Sequence, residues 1–260
     1  MTRPARGRAR GSRFRTGDRS PRHRWRAYAG TVSDLSNARR TDYTSDGIDA
    51  ATLIGTPWAQ ISHWVSEAIA VAETTPGMAE PTAVSVATVD ADGAPNVRVV
   101  LARFLDDRGP GFVSSLHSIK AAEIAANARI AMGYAWPGLF RAIRFRGQAE
   151  RIGADELETY WRTRPYGSQI AASASLQSHP ISSRAELEEQ FASWAARYPD
   201  DGTETAVPMP EDFCGWRLVP DEVEFWAGRP SRLHDRIVCT RVGSGTLDDA
   251  ASWAITRRQP

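Results

Sequence analysis

The chain has 260 residues, 42% hydrophobic and 24% charged, enough apolar material for one large domain or two small ones. This composition excludes collagen, a coiled-coil array and a wholly disordered chain, and no apolar run is long enough for a membrane span. The formal net charge of +1 hides a gradient. Residues 1–40 carry twelve arginines against Asp18 and Asp34, a net +10, while the rest carries 20 basic and 29 acidic groups, a net −9.

Residues 1–30 lack hydrophobic periodicity and are rich in Gly, Pro and Arg, which predicts a disordered Arg-rich tail over 1–35. A solvated tail stands ahead of a nucleic-acid arm or an organelle transit peptide, so no nucleic-acid partner is expected. Without the apolar stretch of a secretory signal, a cytoplasmic location is expected. Residues 57–73 predict an amphipathic helix, with Trp58, Ile61, Trp64, Val65, Ala68, Ile69 and Ala72 at spacings of three and four.

Strand signals follow at 83–89, 97–104 and 111–115, separated by DADG and DDRG turns, and read as a three-stranded meander. A short helix is expected at 118–127, then strands at 129–135 and 140–151. The helical stretch 154–198 is divided by Pro165 and Pro180. Strands return at 216–220, 222–226, 232–241 and 253–258. Strands that do not alternate with helices predict a mainly β fold, an antiparallel barrel with peripheral helices. Cys214 and Cys239 are too few for a disulfide framework and read as small buried side chains. The five histidines show no metal-ligand spacing, and no Gly-rich nucleotide loop is present.

Three groups of residues could carry chemistry. On a strand, Arg232, His234 and Arg236 share one face, either as a solvated charged face or as an anion pocket with a histidine beside it. Tyr160, Arg164 and Ser168 recur every four residues around Pro165; they suit an exposed helix face with a serine cap, or a phosphate. Arg98 opens a strand, and Lys120, the one lysine of the chain, opens a helix. There a cation opposes the helix dipole unless an anion shares the site. Glu224 reads as a salt-bridge or ordering residue.

These pieces stand in a recognisable order. The segments EPTAVSVATVDADGAPNVRVVLARF, RPYGSQIAASASLQSHPISSR, VEFWAGRPSRLHDR and WAITRRQP resemble, in register, the pyridoxamine 5′-phosphate oxidase family of FMN-dependent split-barrel flavoproteins. The resemblance runs from about residue 39 to the C-terminus. It implies an FMN-binding split-barrel domain over 56–260, preceded by an active-site lid segment over 36–55. It also implies a homodimer with FMN at the subunit interface, a small phosphorylated pyridine as substrate and O2 as acceptor, giving pyridoxal 5′-phosphate and H2O2.

Residue by residue, the resemblance assigns Arg98, Val99, Val100, Ser114 and Lys120 to FMN, with Gln177, Ser178, Trp226 and Arg236 reaching it from the other subunit. Tyr160, Arg164 and Ser168 would cradle the substrate phosphate. Arg232 and His234 would lie over the substrate ring as the catalytic pair, and Arg40 and Tyr43 would belong to the lid. Arg103 stands where the family has a substrate-contacting lysine. Ile119, Val113, Ala142 and Ala227 replace family residues on the flavin side. These departures keep open a relative acting on a different amine or cyclic intermediate.

Overall fold

The computed structural model describes residues 41–75, 78, 80–204 and 206–260. The tail expected over 1–35, and Arg40 of the expected lid, lie outside the described residues. Among the described residues no helix is long and apolar enough to cross a membrane.

Helix α1 (Pro57–Thr74) starts where Thr56 accepts a hydrogen bond from the Ala59 N–H and Pro57 occupies the first turn. Its stripe of Ile61, Trp64, Val65 and Ala68 is buried, and Trp64 meets Phe225 edge-on at 5.6 Å. Among the described residues nine antiparallel strands follow: β1 (Ala83–Val89), β2 (Pro95–Leu101), β3 (Phe104–Asp106), β4 (Gly109–Ser115), β5 (Arg129–Trp136), β6 (Arg141–Arg151), β7 (Phe213–Ala227), β8 (Asp235–Arg241) and β9 (Trp253–Arg257). Helix α2 (Ile119–Ala126) sits between β4 and β5. Helices α3 (Ala154–Arg162), α4 (Tyr166–Ala174) and α5 (Arg184–Arg197) lie between β6 and β7, broken where Pro165 and Pro180 predict.

The sheet order β2-β1-β5-β6-β7-β4-β3, with β8 on β7 and β9 on β8, corrects the expected meander. β1 and β2 pair as a hairpin, but β4 pairs with β3 and β7. The run expected as one strand over 97–104 changes partner in the middle. The Ala102 N–H donates to Thr82 O beside β1, and the next N–H, of Arg103, donates to Gly111 O in β4. β4 has apolar burial on both faces, Phe112 included, so it belongs inside the sheet, next to β7. The first and last strands of the order are thereby consecutive in the chain, and the sheet curls into a split barrel.

Two further boundaries differ. The strands expected at 216–220 and 222–226 are one long β7, with a register shift opposite Arg146 and Gly147. The strand expected from 232 begins at Asp235, because Ser231 and Arg232 take left-handed backbone angles (φ 57° and 66°) in a short 3-10 turn. Arg232, His234 and Arg236 therefore do not line one strand face.

Tyr134, Phe145, Ile143, Phe225 and Leu218 fill the barrel, where a truncation such as Phe→Ala costs about 3–5 kcal/mol. A second cluster, Ile152, Leu157, Trp161, Ile170, Val207 and Phe213, lies under α3 and α4. Cys214 and Cys239 are free and buried, and burial pushes both thiols up to about 12.

Candidate functional site

The first group of site residues surrounds the ammonium of Lys120. Ser118 caps α2, so the first turn of the helix points Lys120 back under β4. Only 8% of this lysine is exposed. Its Nζ donates to Ser114 Oγ (2.9 Å) and to Gln177 Oε1 (2.8 Å), both neutral. Burial, then the charge of Arg98, holds its pKa below the ordinary 10.5. Gln177 follows α4, and the next residue, Ser178, turns the chain with φ 70°. Ser114, Lys120 and Gln177 thus meet within one chain.

Arg98 stands beside them on β2. Its guanidinium donates to Val86 O (3.2 Å), Thr88 Oγ1 (2.5 Å) and Glu123 Oε2 (2.8 Å). Val99, on the opposite face of the strand, is 69% exposed, and Val100 packs against the core. Among the described residues no carboxylate pairs with this buried ammonium, and the guanidinium beside it has N–H groups to spare, so the site wants an anion. The residues present therefore fit the phosphate of FMN.

The second group is Tyr160, Arg164 and Ser168. The break at Pro165 lets α3 and α4 meet at an angle, and Arg164 fills the corner. Its guanidinium donates to Tyr160 Oη (3.3 Å) and to the backbone carbonyl of Ser168 (2.8 Å). It lies over the rings of Phe213, Trp161 and Tyr160 at 5.4–5.8 Å. Its Nε is buried without a hydrogen-bond partner, and among the described residues no carboxylate pairs with it. One cavity of about 750 Å³ is lined by Ser114 and Gln177 together with Arg164 and Ser168. A neighbouring one of about 470 Å³ is lined by Tyr160, Arg164, Ser168, Arg103 and Val113.

The third group lies at the far end of β7. Tyr43 packs against Phe140 (5.0 Å), His234 (5.2 Å) and Trp226 (5.9 Å), with the Arg232 guanidinium 4.8 Å above its ring. The segment carrying Tyr43 is tied down, since Ser45 Oγ donates to Gly228 O at 2.6 Å. A Cβ at Gly228 would stand 3.0 Å from both Tyr43 and Phe140, so a larger residue there would push these side chains back by a few tenths of an ångström. The backbone N–H of Arg229 donates to His234 Nδ1 at 3.1 Å. The neutral imidazole therefore carries its proton on Nε2. Burial, then the positive charge of Arg232, depresses the histidine below its ordinary 6.5.

Arg236 is held by Glu224 in a two-pronged pair, both bonds 2.9 Å, and Arg144 and Arg258 crowd the same carboxylate. Glu224 is thus the ordering residue that the sequence suggests. Neither cavity is lined by Trp226, Arg232, His234 or Arg236. Within one chain the third group stands apart from the first two. Sequence reasoning missed Phe140, Arg229 and Glu123. Phe140 is left-handed (φ 50°) after a Pro137–Leu139 turn, and no local signal in the sequence marks it as a ring-packing residue.

A curled antiparallel sheet with helices outside, and anion-seeking cations at its seam, define a split-barrel flavoprotein. Residues 71–198 match the family model described as pyridoxamine 5′-phosphate oxidase, and residues 213–260 match the pyridoxine 5′-phosphate oxidase C-terminal dimerisation region. A pyridoxine/pyridoxamine 5′-phosphate oxidase of Pseudomonas paraeruginosa is 42% identical over 79% of this chain and 92% of its own. One of Kineococcus radiotolerans is 42% identical over 85% and 97%. Among solved structures, PhzG from Burkholderia lata, in complex with tetrahydrophenazine-1-carboxylic acid, superposes with a TM-score of 0.71 at 29% identity, covering 83% of this chain and 99% of that one. The chain belongs to the pyridoxamine 5′-phosphate oxidase family and is an FMN-dependent oxidase.

Proposed function

We propose that the protein oxidises pyridoxamine 5′-phosphate and pyridoxine 5′-phosphate to pyridoxal 5′-phosphate, with O2 reduced to H2O2. The observation that carries this reading is Arg164: a largely enclosed guanidinium, paired with no carboxylate among the described residues, with Tyr160 and Ser168, on two cavities. FMN, when bound, supplies the two-electron chemistry. Lys120 and Arg98 hold its phosphate, with Ser114 and Gln177 beside the ammonium. Arg164, Tyr160, Ser168 and the exposed Arg103 hold the phosphate of the substrate.

Trp226 and Tyr43 wall off the ring region and exclude water. His234 offers its Nε2–H as a donor, since its Nδ1 is engaged by the Arg229 N–H, and Arg232 adds a fixed positive charge. The separation of this third group from the cavities within one chain, together with the match to a dimerisation region, supports a homodimer. In it a second copy brings Trp226, Arg232, His234 and Arg236 to the cleft.

The purified protein is expected to be yellow, to bleach on anaerobic addition of pyridoxamine 5′-phosphate and to release H2O2 in air. A flavin-loaded protein that stays oxidised with both vitamin phosphates would overturn the substrate assignment. A second reading, oxidation of a fused cyclic intermediate, is favoured by the likeness to PhzG and by the small side chains Val113 and Ala142. Bleaching by a partly reduced fused-ring carboxylic acid, and not by the vitamin phosphates, would select it.

A further inference from the structure

Glu123 is not among the residues assigned above, yet it is the hub of the first group. It sits on α2 one turn beyond Lys120, 6% exposed, with both carboxylate oxygens occupied. Thr88 Oγ1 donates to Oε2 (2.5 Å), Asn96 Nδ2 to Oε1 (2.8 Å) and Arg98 NH2 to Oε2 (2.8 Å). Thr88 also accepts from Arg98 NH1, so its hydroxyl links the guanidinium to the carboxylate a second time. Arg98 is left with Nε–H and the second NH2 hydrogen uncommitted. Counted as charges, Arg98 and Lys120 bring two positives and Glu123 one negative, so the cluster offers a single net positive charge to its ligand.

We propose that Glu123 is a positioning residue for the flavin phosphate: it fixes the guanidinium of Arg98 and cancels its charge, so that FMN is gripped in a set geometry at reduced affinity. The proposal rests on the reading that the phosphate sits between Arg98 and Lys120. A phosphate dianion meeting one net positive charge is bound less tightly than one meeting two, and because the cluster is buried the difference is only weakly screened by salt. A glutamine at 123 keeps the shape. Its Oε1 can still accept from Arg98 and Thr88, and its amide can face Asn96 once the carboxamide of Asn96 rotates.

The test is titration of apoprotein with FMN and with riboflavin, followed by quenching of flavin fluorescence. Glu123→Gln is expected to bind FMN about three- to tenfold more tightly, to keep most of that gain as salt rises, and to bind riboflavin unchanged. An unchanged FMN constant in Glu123→Gln, or parallel changes for FMN and riboflavin, overturns the proposal. If Glu123→Gln does not fold, Asn96→Ala, at an exposed position, replaces it. That variant frees one carboxylate oxygen and should weaken FMN binding but not riboflavin binding, and an unchanged FMN constant overturns the proposal. Lys120→Met separates the two levels. If it leaves FMN binding intact, the phosphate is not where the proposed function puts it; if it weakens FMN while Glu123→Gln changes nothing, the role of Glu123 alone fails.

Discussion

His234 and Arg164 show how a single side chain acquires a role from its neighbours. The imidazole accepts a backbone N–H at Nδ1 and lies beside the cation Arg232. Both features disfavour the imidazolium, so at neutral pH the ring is a neutral Nε2–H donor. Because its folded pKa is depressed, its contribution to stability is complete above the ordinary 6.5 and is lost as pH falls through the folded value. Flavin reduction by substrate should therefore be level around pH 7 and decline only below 6.5. Stopped-flow rates across pH 5–8 check this, and a limb centred above 6.5 would contradict it. Arg164→Met should raise KM for the phosphorylated substrate about 10- to 100-fold, the loss expected when a charge-assisted contact to phosphate is removed. FMN binding, measured by fluorescence titration, should stay within twofold (~0.4 kcal/mol), since Lys120 and Arg98 are untouched.

At the scale of elements, β7 organises the molecule. Its fifteen residues pair with β6, β4 and β8, and so join the wall of the barrel to the strand that follows His234. The register shift at Gly147 brings the two backbones so close that a Cβ there would lie 2.0 Å from Val219 O and 2.8 Å from Pro220 Cα. Backbone cannot move aside as a flexible side chain can. Gly147→Ala should therefore destabilise the fold by about 2–4 kcal/mol, read as a lower Tm in thermal melts, with FMN affinity of the folded fraction retained. A Tm equal to that of the parent would mean that the bulge relaxes without cost. Helix α2 plays the matching part for the first group: one turn carries Lys120 to Ser114 and Gln177, and the next returns Glu123 to Arg98.

At the scale of the whole molecule, the cations proposed to hold the two phosphates and the Arg232–His234 turn lie at different places in one chain. On the proposed function a complete cleft needs two copies, each giving what the other lacks. Mixing subunits tests this directly. Arg164→Met and Arg232→Ala homodimers should each be nearly inactive, and co-refolded mixtures should recover about a quarter of parental activity, because half of the dimers are hybrids with one intact cleft. Mixtures no more active than the separate variants would place both arginines in the same cleft-half.

Much of this was legible in the residues themselves. The helix over 57–73, the breaks at Pro165 and Pro180 and most strand positions follow from local periodicity and from the geometry of proline, which act over a few residues whatever surrounds them. The order of VEFWAGRPSRLHDR and its companion segments marked the family, and with it FMN. Which strands neighbour one another was not legible. Ala102 and Arg103 turn their N–H groups to opposite partners only because β1 and β4 converge there, and β4 leaves the meander because burial on both faces needs company on both sides. The clasp of Glu123 on Arg98 and the pairing of Arg236 with Glu224 likewise join residues by contacts across the fold. Such contacts depend on where remote segments come to rest, and only the assembled tertiary structure decides that.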